Sequence, residues 1–131
     1  MIKIGRFSPF YFMKYKQVIG EFGERLAINY LRKHGYRILA RNLKTSFKEI
    51  DIVTQQGKTI IFIEVKTRLS QKFGTADEAI SWVKLNNFNR AIELFLVQRN
   101  LETDDIRADL ISIDINRSKK IAKIKHYKDI I

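Results

Sequence analysis

The chain has 131 residues, 45% of them hydrophobic, a net charge of +11 and no cysteine. That length and apolar content suit one domain with one core and argue against disorder. The absence of cysteine excludes disulfides and thiolate metal sites, and the surplus of 25 Lys+Arg over 14 Asp+Glu favours a polyanionic partner: DNA, RNA or an anionic membrane surface.

Residues 1–16 read as a basic, aromatic arm, with Lys3, Arg6, Lys14 and Lys16 set among Phe7, Phe10, Tyr11, Phe12 and Tyr15. Such an arm is either a nucleic-acid or membrane contact or a loosely packed terminus. It lacks the continuous apolar run of a signal peptide, and no segment reaches the roughly 18–20 apolar residues of a membrane span. A cytoplasmic location without a membrane partner is therefore expected. Residues 17–131 read as one domain.

Within 17–34, Gly23, Leu26, Ala27, Tyr30 and Leu31 fall at helical spacing, and Gly35 is a stop. Residues 36–43 and 47–54 read as two strands, 55–58 as a turn, and 59–67 as a third strand antiparallel to the second. A long helix follows over 76–98, with Thr75 and Glu78 as a capping box and Ile80, Val83, Asn87, Ala91, Leu94 and Phe95 along one side. Residues 106–115 and 120–127 read as two more strands joined by a polar turn. The order α-β-β-β-α-β-β predicts an α/β fold, a mixed sheet flanked by helices.

The run Ile60-Ile61-Phe62-Ile63-Glu64-Val65-Lys66 stands out because charge is costly in so apolar a strand unless it is paired or on a metal. Side chains alternate faces along a strand, so Glu64 and Lys66 share a side about 7 Å apart. In the preceding strand Phe47, Glu49, Asp51 and Val53 share a side. A suitable hairpin register brings Asp51, Glu64 and Lys66 together. Two carboxylates can hold a divalent cation beside a phosphodiester, while a lysine meets the attacking water or the developing charge. With two histidines in the chain, the cation is a hard one on oxygen, Mg²⁺ or Mn²⁺. The competing reading is a solvated Glu-x-Lys edge. Glu24, one position after Gly23, is either a further acid of this site or a helix-face partner for a cation.

The ordered set Gly20, Gly23, Glu24, Ala27, Tyr30, Leu31, Gly35 and Tyr36, then Arg41-Asn42, Glu49-Ile50-Asp51, Phe62 to Arg68, and Phe73-Gly74 resembles the YraN family of predicted endonucleases. That family is similar to archaeal Holliday-junction resolvases and belongs to the PD-(D/E)XK, restriction-endonuclease-like superfamily. The resemblance covers residues from Gly20 to about Ile113. It implies a restriction-endonuclease-like core and a metal-dependent endonuclease acting on DNA, branched DNA included. It also implies metal-ligand roles for Asp51 and Glu64, the catalytic lysine for Lys66 and a helical acid for Glu24. Lys48 stands where the family motif has glycine, which bears on the backbone before Glu49. Arg68 and Lys84 match basic positions and read as phosphate contacts or ordinary surface charge. Arg107 and Asp109 match an Arg-x-Asp element in which Asp109 reads as a structural acid with a basic partner. Trp82 reads as core, and His34 and His126 as surface residues.

Residues 117–128 hold Arg117, Lys119, Lys120, Lys123, Lys125 and Lys128 with no acid. They read as a phosphate-binding stripe or as a lysine-guarded sheet edge. The resolvases that the chain resembles act in pairs, so a homodimer is expected. The alternative function is a catalytically inactive nucleic-acid-binding module, for DNA or RNA, on the same fold. A weaker rival is a membrane-surface adaptor using the aromatic arm.

Overall fold

Isoleucine-rich runs, buried on both faces, build the centre of the molecule. In the computed structural model, which describes residues 2–3, 15–69, 82–100 and 105–131, six strands form one sheet in the order β1-β6-β5-β4-β3-β2. The elements are β1 (Ile2–Lys3), α1 (Tyr15–Lys33), β2 (Arg37–Leu43), β3 (Ile50–Gln56), β4 (Thr59–Leu69), α2 (Trp82–Gln98), β5 (Ile106–Asn116) and β6 (Ile121–Tyr127). The expected order holds, with the two-residue β1 added ahead of it and paired to β6 through Ile2↔Ala122. β4 and β5 are parallel and the other neighbours antiparallel, so the sheet is mixed. A parallel pair needs a long crossover, and α2 lies within it.

The alternation of β4 assigns a helix to each face. Ile61 and Ile63 pack with Ile19, Ala27, Ile28 and Leu31 of α1. Phe62 packs with Phe88, Ala91 and Ile92 of α2. Each cluster is apolar throughout, so burial on both faces stabilises the central strands at about 25 cal/mol per Å² removed from water. The stripe of α2 turns on Phe88, Ala91 and Ile92 with Phe95 beside them, not on Asn87 and Leu94, which are half-buried. Residues 88, 91, 92 and 95 are the true helical repeat. The capping box at Thr75 and Glu78, Ile80, and the Phe73-Gly74 pair lie outside the described residues, as do the side chains of Trp82 and Val83.

α1 ends where Gly35 takes φ 84° and the Tyr36 amide donates back to the Leu31 carbonyl at 2.9 Å. Near its middle, α1 lies against β4 so closely that a Cβ on Gly23 would stand 2.7 Å from Cβ and Cγ2 of Thr67. Gly23→Ala is therefore expected to destabilise the chain by about 1–3 kcal/mol. Thr67→Ala in the same chain should restore part of that loss. Urea denaturation of the single and double variants measures this, and an unchanged Gly23→Ala midpoint would mean the helix can simply shift.

The second strand begins at Ile50 rather than at residue 47. Thr45 Oγ1 accepts from the amides of Phe47 and Lys48, each at 3.1 Å, and donates to the Lys48 carbonyl at 2.6 Å. This local turn takes up the backbone groups that a strand ladder would use.

The α1 face carries one buried polar cluster. Asp109 has 0% exposure and accepts from Arg107 Nε and Nη2, both at 2.9 Å, and from the Asp129 amide at 2.9 Å. Its Oδ2 lies 2.8 Å from His126 Nε2, whose Nδ1 is 3.0 Å from the Tyr30 hydroxyl. Arg107 also donates to the Tyr36 hydroxyl at 3.1 Å. Asp109 is thus the structural acid expected from the sequence. His126 corrects its reading, for its side chain is 5% exposed and tied into this cluster, whereas His34 is exposed. Burial raises the Asp109 pKa, but hydrogen bonds from His126, Arg107 and the Asp129 amide outweigh it and hold the carboxyl down at about 2.

Candidate active site at the fork of the sheet

β4 is much longer than its pairing with β3. The ladder runs from Gln56↔Thr59 to Ile52↔Ile63, after which β4 continues to Leu69 paired only with β5. A fork opens there. One further step of the register sets Asp51 opposite Glu64, with side chains about 5 Å apart on a shared face. Asp51 Oδ2 closes the fork by accepting the Val65 amide at 2.8 Å, a donor that β3 leaves behind. Glu64 and Lys66 follow Phe62 on the α2 side by alternation. The fork therefore gathers Asp51, Glu64 and Lys66, the three residues that the spacing of the sequence singles out.

The electrostatics are those of crowded acids. Burial and the facing Glu64 push Asp51 up to about 7, against the pull of the Val65 amide and Lys48. Burial also raises Glu24, with Arg41 opposing and Glu21, Glu49 and Glu64 adding to the rise. Glu24 thus lies within electrostatic reach of Glu64 from the α1 side. A hydrogen bond with Lys84, together with burial, lowers Lys66. Lys84 projects from the first turn of α2, so the helix brings a second cation to the lysine.

Two participants were not assigned a role from sequence. Lys48 Nζ stands 3.3 Å from Glu64 Oε2 and 3.5 Å from Oε1. Its backbone is not among the residues of positive φ, so lysine is accommodated there without strain. Arg41, on β2 opposite Ile52, opposes the rise of Glu24. Arg41 stood within the family pattern and Lys48 at its departure from glycine. Nothing in the spacing tied either one to the acids.

The basic positions divide into two groups. Register aligns Lys66, Ser112 and Lys125 in one row across the sheet, and Arg68, Asp114 and Lys123 in the next. These rows continue the α2-side face beyond the fork. Arg68 Nε is held by Asp114 Oδ1 at 3.3 Å. Lys119 and Lys120 lie instead in the exposed turn between β5 and β6, off the strand, with Lys120 at φ 53°.

Among the described residues, no three His, Asp or Glu side chains are arranged to enclose a metal ion. The fork offers two carboxylates. Mg²⁺ commonly takes one or two carboxylates and completes its shell with water and substrate phosphate. A pair of acids of which one is pushed up to about 7 by burial and by its neighbour is short of positive charge, so the donor set fits such a cation. Among the described residues no helix is long and apolar enough to cross a membrane.

Comparison with known proteins places these residues in a family context. The model of the uncharacterised protein family UPF0102 matches residues 23–113. That span includes Glu24, Asp51, Glu64, Lys66, Arg68 and Lys84, and ends before the lysines of β6. The chain is 41% identical over 119 residues to a UPF0102 protein of Caldicellulosiruptor bescii, covering 89% of this chain and 98% of that protein. It is 39% identical over 108 residues to one of Alkaliphilus metalliredigens, with 82% and 95% covered. It is 41% identical over 108 residues to one of Syntrophomonas wolfei, with 82% and 92% covered.

Proposed function

The chain belongs to the uncharacterised protein family UPF0102, and from the fork of its sheet we propose that it is a Mg²⁺- or Mn²⁺-dependent endonuclease hydrolysing DNA phosphodiester bonds, branched DNA included. The observation that carries this reading is the convergence of Asp51, Glu64 and Lys66 where β3 leaves β4. Asp51 and Glu64 would hold the cation, which when bound supplies a Lewis acid for the phosphate and an acidified water. Lys66 orients that water, or takes its proton, at Nζ. The lowered pKa of Lys66 makes it a readier proton acceptor than an ordinary lysine. Glu24 adds negative charge at the rim. The rows Lys66–Ser112–Lys125 and Arg68–Asp114–Lys123 support a phosphate path leading away from the fork, with Lys84 above it. Lys119 and Lys120 extend it at the turn. The protein works in the cytoplasm as a homodimer, since one fork cuts one strand.

The second reading is a nucleic-acid-binding module without catalysis. The Lys48–Glu64 ion pair favours it, because one of the two ligand carboxylates is already neutralised.

Nicking of branched and plain duplex DNA with Mg²⁺ or Mn²⁺ separates the two, with sedimentation of the same protein reporting its assembly. Wild-type chain is expected to nick and Lys66→Ala to lose at least about 100-fold of the rate, the contribution of a general acid or base. Salt-sensitive DNA binding without any nicking by the wild-type chain would establish the binding module instead.

A further inference from the structure

Lys48 forms an ion pair with a carboxylate of the fork. The Thr45 turn fixes its backbone, and its side chain passes the Phe88 ring with Nζ 5.9 Å from the centroid. The ammonium reaches both oxygens of Glu64, at 3.3 and 3.5 Å, with the two side chains 30% and 22% exposed. Among the ion pairs of the described residues, Glu64 is joined to Lys48 and not to Lys66, the lysine expected beside it. The charge next to Glu64 therefore comes from the loop before β3 rather than from the Glu-x-Lys motif itself.

Resting on the metal-site reading above, we propose that Lys48 is a built-in competitor for the cation site. Its ammonium occupies Glu64 in the metal-free protein and leaves when a divalent cation binds. A cation on Glu64 oxygen lies within about 2.0–2.6 Å of it. An ammonium spanning both oxygens of the same carboxylate blocks that approach. Asp51 and Glu64 face one another across the fork, and Lys48 brings a positive charge to that pair from within the chain. The four-carbon stem lets Nζ swing away without moving the turn that holds its backbone. The site then responds only to cation concentrations high enough to displace Lys48.

Mn²⁺ titration by calorimetry, repeated by electron paramagnetic resonance of free Mn²⁺, tests this on the whole chain. The proteins are wild type, Lys48→Gln, Lys48→Met, Lys48→Arg and Glu64→Gln. Lys48→Met keeps the apolar stem beside Phe88 and covers the case in which Lys48→Gln folds poorly. Both neutral variants are expected to bind Mn²⁺ about 5-fold more tightly than wild type, the scale of a half-exposed ion pair. Lys48→Arg should not tighten binding, and Glu64→Gln should lose most of it. Equal affinities for wild type and both neutral variants would overturn the competitor while leaving the metal site standing. Weaker binding by the neutral variants would also overturn it and make Lys48 a support of the site. Absence of Mn²⁺ binding in every protein would overturn the metal-site reading and this inference together.

Discussion

At about pH 8, Asp51→Asn should unfold on the order of 10 °C above the wild-type chain, and its Mn²⁺-dependent nicking should fall at least about 100-fold. The two effects have one cause. Burial and Glu64 push Asp51 from an ordinary 3.8 up to about 7, with Glu24 adding to the rise and Lys48 and the Val65 amide opposing it. The folded chain then keeps a proton that the unfolded chain has released. Stability from this group is fully present below about pH 4 and is lost as pH rises toward 7. Above that the ionised, crowded carboxylate works against the fold by about 4 kcal/mol. Asparagine still accepts the Val65 amide but carries no charge, so its advantage should shrink at about pH 5. It is also a far poorer ligand for a hard cation, which removes one of the two anionic ligands and with it the nicking. Metal affinity of the wild-type chain should rise through pH 7 for the same reason, since the ligand form is the deprotonated one. Thermal unfolding at the two pH values and nicking at the higher one give the answer. A variant that nicks undiminished would assign the activity to another site or to a contaminant.

Asp109→Ala should cost about 3 kcal/mol of stability. The carboxylate takes four contacts, two from Arg107 and one each from His126 and the Asp129 amide. Alanine leaves Arg107 without its charge partner, and its 23% exposure is too small for water to replace the carboxylate fully. His126 loses its Nε2 partner and with it the tie between β6, β5 and Tyr30 of α1. Asp109→Asn should fall between, since one amide oxygen cannot replace two carboxylate oxygens. The depressed pKa sets the pH range: stability from Asp109 holds above about 4 and disappears as pH falls through 2. Urea denaturation at neutral pH measures the cost. A loss below about 1 kcal/mol would show that Asp109 is not a tie of the fold. Intact stability with nicking abolished would move it into the active site.

Much of this molecule is written in local spacing. The apolar runs at 60–66 and 106–115 define the central strands, and covalent geometry alone puts Glu64 and Lys66 on one face, because residues two apart on a strand cannot do otherwise. The helical repeat of α1, its stop at Gly35 and the basic surplus are equally local. Tertiary structure decided everything that depends on what lies across from a strand. Asp51 meets Glu64 only because the β3–β4 register continues to that pair and then stops, which leaves the Val65 amide for Asp51 to accept. Lys48 reaches Glu64 because the Thr45 turn holds it out of β3, a competition between side-chain and ladder hydrogen bonds that alternation does not reveal. His126 is buried because β6 pairs with β5 and places it beside Asp109, a partner 17 residues away. Faces follow from the spacing of bonds along one strand, whereas partners follow from register and from where a ladder ends, and those are set by the packing of the whole sheet.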